Sequence, residues 1–201
     1  QTTVVTVGPY FSRFVARWPS VQDLAAASQD EILAAWAGLG YYARARNLHA
    51  CAKEVARLGR FPKTIDGLLA LPGIGPYTAA AIASIAFNIP AVAVDGNVER
   101  VVSRVFAIEA PLPASKLALR DGAALLAADV QRAGDFTQAF MELGAVVCTP
   151  RNPQCGLCPW RDDCRGRAAG IAASLPRKLP KKARPVRHGH VYILQRSDGR
   201  V

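Results

Sequence analysis

Four cysteines fall within seventeen residues of this chain, in the pattern Cys148-x6-Cys155-x2-Cys158-x5-Cys164. No other feature limits the fold as strongly. Four thiolates so close together can converge on one metal centre, and doing so orders a loop with few apolar side chains of its own. A disulfide framework would instead use an even, dispersed set in a short secreted chain. The fifth cysteine, Cys51, stands far upstream on an apolar helical face and reads as a buried core thiol. The chain opens Gln1-Thr2-Thr3-Val4, with neither an initiator Met nor a basic-then-apolar export segment. These signs point to a fragment of a soluble protein in a reducing, cytoplasmic compartment. Spacing alone does not choose between zinc and iron–sulfur.

Charge is distributed unevenly. The formal net charge of +10 suggests a polyanionic partner, nucleic acid or an anionic membrane surface. Residues 1–164 are nearly balanced, with fifteen basic side chains against fourteen acidic, whereas residues 165–201 hold ten against one. No apolar run approaches the ~20 residues of a membrane span. The main body must therefore grip a polyanion by local means, and the tail adds salt-sensitive attraction.

Most segments between turn signals read as helix. Ser28 and Glu31 have capping-box spacing ahead of the apolar run Ile32–Trp36. Tyr41–Leu58 alternates at helical spacing. Thr64 can cap a short helix that ends at Leu71-Pro72-Gly73, and Pro76 suits the first turn of a helix reaching Phe87. Asn97–Ala107 places Val98, Val101, Val102 and Val105 on one face, and Leu117–Val130 and Phe136–Val147 complete the helical set. Prolines 176, 180 and 185 mark residues 175–187 as an extended basic linker. His190–Leu194 then reads as a strand and Ser197-Asp198-Gly199 as a hairpin turn.

Two further motifs carry chemistry. In Leu71-Pro72-Gly73-Ile74-Gly75-Pro76-Tyr77, two glycines sit in a very short interhelical turn. Such a turn can present amide N–H groups to a phosphate at a helix N-terminus, without reading any base. Otherwise it is an ordinary helix–helix turn. In Val94-Asp95-Gly96-Asn97-Val98, Asp95 precedes a helix start. It either caps that helix or offers a carboxylate to a cationic sugar, as carboxylates do in glycoside cleavage.

Taken in this order, the hairpin, the Asp95 segment and the cysteine cluster resemble the helix–hairpin–helix DNA glycosylase superfamily with a 4Fe–4S cluster. The match is closest to the A/G-specific adenine DNA glycosylases of the MutY type. Supporting stretches are Val7–Phe14, Gly38–Leu48 and Met141–Ala145, and the resemblance spans about residues 1–175. It implies an all-α, two-lobe fold. Residues 1–88 would form a helical barrel lobe with the hairpin, the first residues completing the other lobe. Residues 89–174 would carry Asp95 and the cluster. After the 175–187 linker, residues 188–201 would begin a truncated, β-containing domain similar to nudix hydrolases.

The resemblance also assigns roles. Adenine mispaired with 8-oxoguanine or guanine would be flipped out of duplex DNA and excised by N-glycosidic hydrolysis. Asp95 would stabilise the oxocarbenium-like sugar, and Asn97 would orient the sugar or Asp95. Tyr77 occupies the place where lyase relatives carry a Schiff-base Lys, so a monofunctional glycosylase is expected. Tyr41 matches an aromatic wedge, with Tyr42 the core member of the pair. Gln1, Thr2, Arg44, Arg46, Gly73, Gly75 and Tyr77 would meet DNA. Cys148, Cys155, Cys158 and Cys164 would hold a 4Fe–4S cluster in a DNA-associated monomer of the bacterial nucleoid. The family's general-acid Glu lies just before the Gln-Thr pair, so a chain starting at Gln1 is expected to be deficient in excision. The rivals are a T:G mismatch or oxidised-pyrimidine glycosylase of the same superfamily, a non-catalytic DNA-binding module, and a zinc-binding regulator.

Overall fold

The computed structural model describes residues 2–180 together with Pro185, Val186, Gly189, His190 and Tyr192. Gln1, residues 181–184 and 187 of the basic linker, and the expected strand and hairpin turn after His190 lie outside the described residues, Tyr192 excepted. Among the described residues the chain is helical, and its one β-type contact is an isolated parallel bridge between Leu112 and Lys178. No described helix is long and apolar enough to cross a membrane.

The helices are α1 (Val4–Arg17), α2 (Val21–Ala26), α3 (Gln29–Trp36), α4 (Ala43–Leu58), α5 (Ile65–Leu69), α6 (Pro76–Phe87), α7 (Gly96–Val105), α8 (Lys116–Ala127), α9 (Ala133–Glu142) and α10 (Arg165–Ala168). Local chemistry sets many of their ends. Ser28 and Glu31 close the expected capping box on α3, and Ser20 with Asp23 builds a second one on α2. The Thr64 hydroxyl accepts from Gly67 N–H at the start of α5. Pro76 opens α6, and Asn88, left-handed at φ 52°, ends it. The Asn88 side chain then donates to Gln131 O and accepts from Ala133 N–H, tying the end of α6 to the start of α9.

Two separate apolar cores result. Cys51, Val55, Leu68, Leu71, Ala79 and Ala83 form one, from α4, the hairpin and α6. Val98, Val101, Val102, Val105, Leu119, Ala123 and Phe140 form the other, from α7, α8 and α9. Cys51 is thus the core thiol its apolar setting suggested, and burial pushes its pKa up. Packing of α6 on α9 joins the two halves. At the N-terminus α1 docks on α3, with Phe14 edge-on to Trp36 and the Tyr10 hydroxyl donating to Ala37 O at 2.8 Å.

The start of the linker is also not free. Leu112 N–H donates to Arg177 O at 2.9 Å, Arg177 pairs with Glu109, and Leu175 is buried. Residues 175–179 are therefore a strap lying on the α7–α8 connection. The backbone at Leu175 is extended, as the prolines suggest, and its side chain is buried, which anchors the strap.

Candidate active site and cluster loop

Asp95 is half-buried at the N-cap of α7. Its Oδ1 accepts from Asn97 N–H and Val98 N–H, both at 2.8 Å, and its Oδ2 accepts from Asn97 Nδ2 at 3.1 Å. A carboxylate offers about four lone-pair directions. Three are engaged, so one direction on Oδ2 stays available. Capping and a catalytic role are compatible in this geometry: the cap bonds fix the carboxylate and leave one face of it to act.

Asn97 is held from behind. Its Oδ1 accepts from Arg100 Nη2 at 2.9 Å, which fixes which end of the amide faces Asp95. Arg100 is 8% exposed and also donates to Gly144 O at 2.5 Å and, through Nε, to Cys148 O at 2.7 Å. Burial, and then the neighbouring Arg104 charge, push the Arg100 pKa down. Gly144 lies in a π-helical turn, residues Leu143–Val147, that follows α9. A Cβ there would lie 2.7 Å from Asn97 Cβ, so the glycine is what lets this turn approach α7.

Tyr77, in the first turn of α6, is 44% exposed, and its hydroxyl approaches Met141 Sδ at 3.9 Å. Burial raises its pKa, and the Asp95 charge raises it further, so the phenol stays neutral in the neighbourhood of the carboxylate. Tyr77 and Asp95, eighteen positions apart, are thereby brought into one site. A cleft beside them is lined by Pro76, Tyr77, Val92, Val94 and Arg120.

Gly73 stands at φ +74°, and a Cβ on it would lie 2.5 Å from Asn47 Cβ. The turn therefore needs glycine twice over, for conformation and for space. Gly75 has φ −94° and caps α6 with nothing within 4 Å of a built Cβ, so its face is open. Tyr41 is 82% exposed and left-handed at φ 48°. Holding a bulky aromatic so costs on the order of 1–3 kcal/mol, and such strain gathers at functional sites. Tyr42, expected in the core, is instead 42% exposed: it sits at the N-cap of α4 while Ala45 and His49 take the buried face. Arg44 stacks over Trp36 and Tyr41, and Arg46 projects into solvent. Thr2 precedes the α1 cap, Thr3.

The four clustered cysteines line a single pocket, together with Arg104, Arg161 and Arg167. Among the described residues, no three His, Cys, Asp or Glu side chains converge as tightly as a single ion requires. The thiols surround a space instead. Burial pushes the Cys158 thiol up, and the charges of Cys148, Cys164 and Cys155 push the same way. Four deprotonated sulfurs around this cavity therefore need a multi-atom cationic core, and the donor set fits an iron–sulfur cluster.

A family model described as HhH-GPD superfamily base excision DNA repair protein matches residues 1–121. The chain belongs to this superfamily. The iron–sulfur binding domain of endonuclease III matches residues 148–164, the span that carries the four cysteines, and supports a 4Fe–4S cluster as the cofactor of this chain. The chain is 49% identical to the human adenine DNA glycosylase over 83% of its own length and 31% of the human protein. It is 45% identical to the Mycolicibacterium smegmatis adenine DNA glycosylase over 91% of its length and 63% of that protein. It thus spans from 31% to 63% of the length of these two relatives. Among solved structures, a thermostable thymine-DNA glycosylase superposes with TM-score 0.74 at 30% identity, covering 84% of this chain and 79% of that one. An endonuclease III–DNA complex superposes with TM-score 0.67 at 26% identity over the same shares.

Within the HhH-GPD frame, the structure adds residues that motif reading passed over. Arg100 and Arg104 lie one turn apart on a helix whose neighbouring positions are core valines. A pair of arginines on an otherwise buried helix is the signal that could have found them. Met141 and Gly144 were noted only as family resemblance, and contact explains them: one meets Tyr77, the other Asn97.

Proposed function

We propose that this chain is the catalytic part of a monofunctional DNA glycosylase that removes adenine mispaired with 8-oxoguanine or guanine. The observation that carries the reading is the fixed Asp95–Asn97 pair beside Tyr77, in a chain 37–49% identical to named adenine DNA glycosylases. Departure of a base leaves an oxocarbenium-like sugar. A carboxylate already locked by three donors stabilises that charge without reorganising at the moment of reaction. Tyr77 presents a phenol where an amine would form an imine, so no Schiff-base route is open at that position. Asn97 and Arg100 keep the free edge of Asp95 aimed.

The DNA-facing surface comprises the hairpin amides at Gly73 and Gly75, the first turn of α6 at Tyr77, and Thr2, Tyr41, Arg44 and Arg46, with Gln1 outside the described residues. Tyr41 fits a wedge, since it is exposed, rigid and strained. Extruding a base costs a few kcal/mol and is cheapest at a mispair, which makes an intercalating aromatic useful. When bound, the cluster supplies a rigid core that cross-links the loop of Cys148, Cys155, Cys158 and Cys164 behind α7. The protein would act as a monomer on chromosomal DNA in the cytoplasm.

The likeness to a thymine-DNA glycosylase supports a second reading, T:G repair, because Tyr77 suits both. Single-turnover excision by the full-length protein from A:8-oxoguanine, A:G and T:G duplexes separates them. Adenine release from the first two, with no thymine release and no strand cleavage, is the expected result. Preferential thymine release would replace the proposal with the second reading.

A further inference from the structure

Arg104 is only 2% exposed, and its guanidinium touches no carboxylate among the described residues. Its Nε donates to Leu175 O at 3.1 Å, Nη2 to Pro150 O at 3.3 Å, and Nη1 to Thr149 O at 2.8 Å and Cys148 O at 3.2 Å. Nη1 also lies 3.2 Å from Cys148 Sγ. The backbone carbonyl of the same residue lies 3.4 Å from Cys164 Sγ. One residue thus touches the first and last cysteines of the loop and the strap beyond it.

Burying a guanidinium without a counter-charge is expensive, and carbonyl dipoles offset only part of the cost. The missing negative charge is close at hand. Four thiolates on a 4Fe–4S core of charge 2+ carry a net charge of −2, and one of the sulfurs is a hydrogen-bond partner of this guanidinium. The other arginines lining the cavity differ. Arg161 and Arg167 are exposed and share the single Asp162 carboxylate at 3.1 Å and 3.9 Å, so solvent and that carboxylate weaken their charge at the sulfurs.

We propose that Arg104 is the positioning residue that sets the electronics of the cluster: its buried guanidinium donates to the Cys148 sulfur and raises the one-electron reduction potential of the cluster. Adding an electron increases the negative charge on the sulfurs, and a nearby cation and N–H···S bond stabilise that reduced form more than the oxidised one. Arg100 adds buried positive charge near Cys148 but makes no bond to its sulfur, because its Nε meets the Cys148 carbonyl and its Nη2 meets Asn97 and Gly144.

Film voltammetry of the cluster-loaded full-length protein tests this, with the electrode supplying or accepting the single electron and no ligand bond broken. Iron and sulfide content is measured in parallel. Arg104→Gln is expected to lower the midpoint by roughly a tenfold change in the reduction equilibrium, about 59 mV for one electron. Arg104→Lys keeps the charge but loses the planar fork, and should fall between Arg104→Gln and the unaltered protein. Arg161→Gln should move the midpoint much less. If Arg104→Gln fails to hold a full cluster, Arg104→Lys decides alone, a lowered midpoint supporting the proposal. An unchanged midpoint in a fully loaded Arg104 variant overturns it, as does an equal shift from Arg161→Gln.

Discussion

Asp95→Asn separates the two roles of Asp95 because their magnitudes differ widely. As a helix cap, Asn is about as good as Asp, and its Oδ1 can keep both 2.8 Å bonds to Asn97 N–H and Val98 N–H. Two stabilising contributions are lost. The charge–dipole contribution at the N-terminus is about 0.3–1 kcal/mol. The bond between Asp95 Oδ2 and Asn97 Nδ2 becomes donor against donor, and Asn97 cannot flip to relieve it without losing Arg100. That costs about another 0.5–1.5 kcal/mol. A total near 1–2.5 kcal/mol, set against a typical stability of about 5–15 kcal/mol, leaves nearly all molecules folded at 25 °C. Thermal unfolding should shift down by only about 2–10 °C. If Asp95 only capped α7, excision would therefore fall less than about twofold. If its charge stabilises the reacting sugar, removing a preorganised electrostatic partner should cost about 10²–10³ in rate. Single-turnover excision from an A:8-oxoguanine duplex, paired with duplex affinity and thermal unfolding, reads all three quantities. A rate within tenfold of the unaltered protein, or a rate loss matched by lost duplex affinity, would refute a catalytic Asp95.

Three further outcomes follow from the same structure. Gly73→Ala must accept φ +74° and a 2.5 Å contact with Asn47, so it should lose about 1–3 kcal/mol of stability and with it hairpin binding to duplex; Gly75→Ala, which meets nothing, should keep its melting temperature, so any affinity it loses in a salt titration measures backbone approach to phosphate. Arg100→Gln leaves acceptors on Gly144, Cys148 and Asn97 poorly satisfied at about 1–3 kcal/mol each; it should both melt earlier and excise more slowly, with partial rescue by Lys, and full rate at full stability would contradict the relay to Asp95. The Glu31 carboxyl is held below its ordinary 4.5 by the Ser28 backbone N–H first, then the Ser28 hydroxyl and Arg17. Its contribution is therefore present above pH 4.5 and is lost as pH falls through the lower folded-state value. Unfolding curves of the protein and Glu31→Gln should differ at neutral pH and converge in acid.

What the sequence made legible follows physical range. The ends of α3, α5 and α6 were readable because Ser28, Thr64 and Pro76 act within three or four residues of themselves. Asp95 and the four cysteines were readable because their chemistry is carried by spacing. α1 and the α2 capping box were not singled out. Gly8 and Pro9 interrupt the α1 pattern, and Asp23 stands where the box usually carries Glu or Gln. The docking of the strap at 175–179 is not legible in the sequence, because its partners, Glu109 and Leu112, are more than sixty positions away and nothing local announces them.

The same distinction explains why the site holds together around one short helix. The valines at 98, 101, 102 and 105 bury one stripe of α7, and that burial fixes the rotation of the helix about its axis. With rotation fixed, Asp95 and Asn97 emerge at the exposed N-terminal end, while Arg100 and Arg104, one turn apart, are carried inward against the loop that begins at Cys148. Helical spacing thus converts a sequence of ten residues into a fixed order, with carboxylate, amide, first arginine and second arginine leading from the proposed DNA-facing end to the cysteine loop. A one-residue insertion after Val98 would rotate everything downstream by about 100°. It would withdraw both arginines from Cys148 while leaving the Asp95 cap intact. The position of the cluster relative to the carboxylate therefore rests on the apolar stripe, which contributes no chemistry of its own.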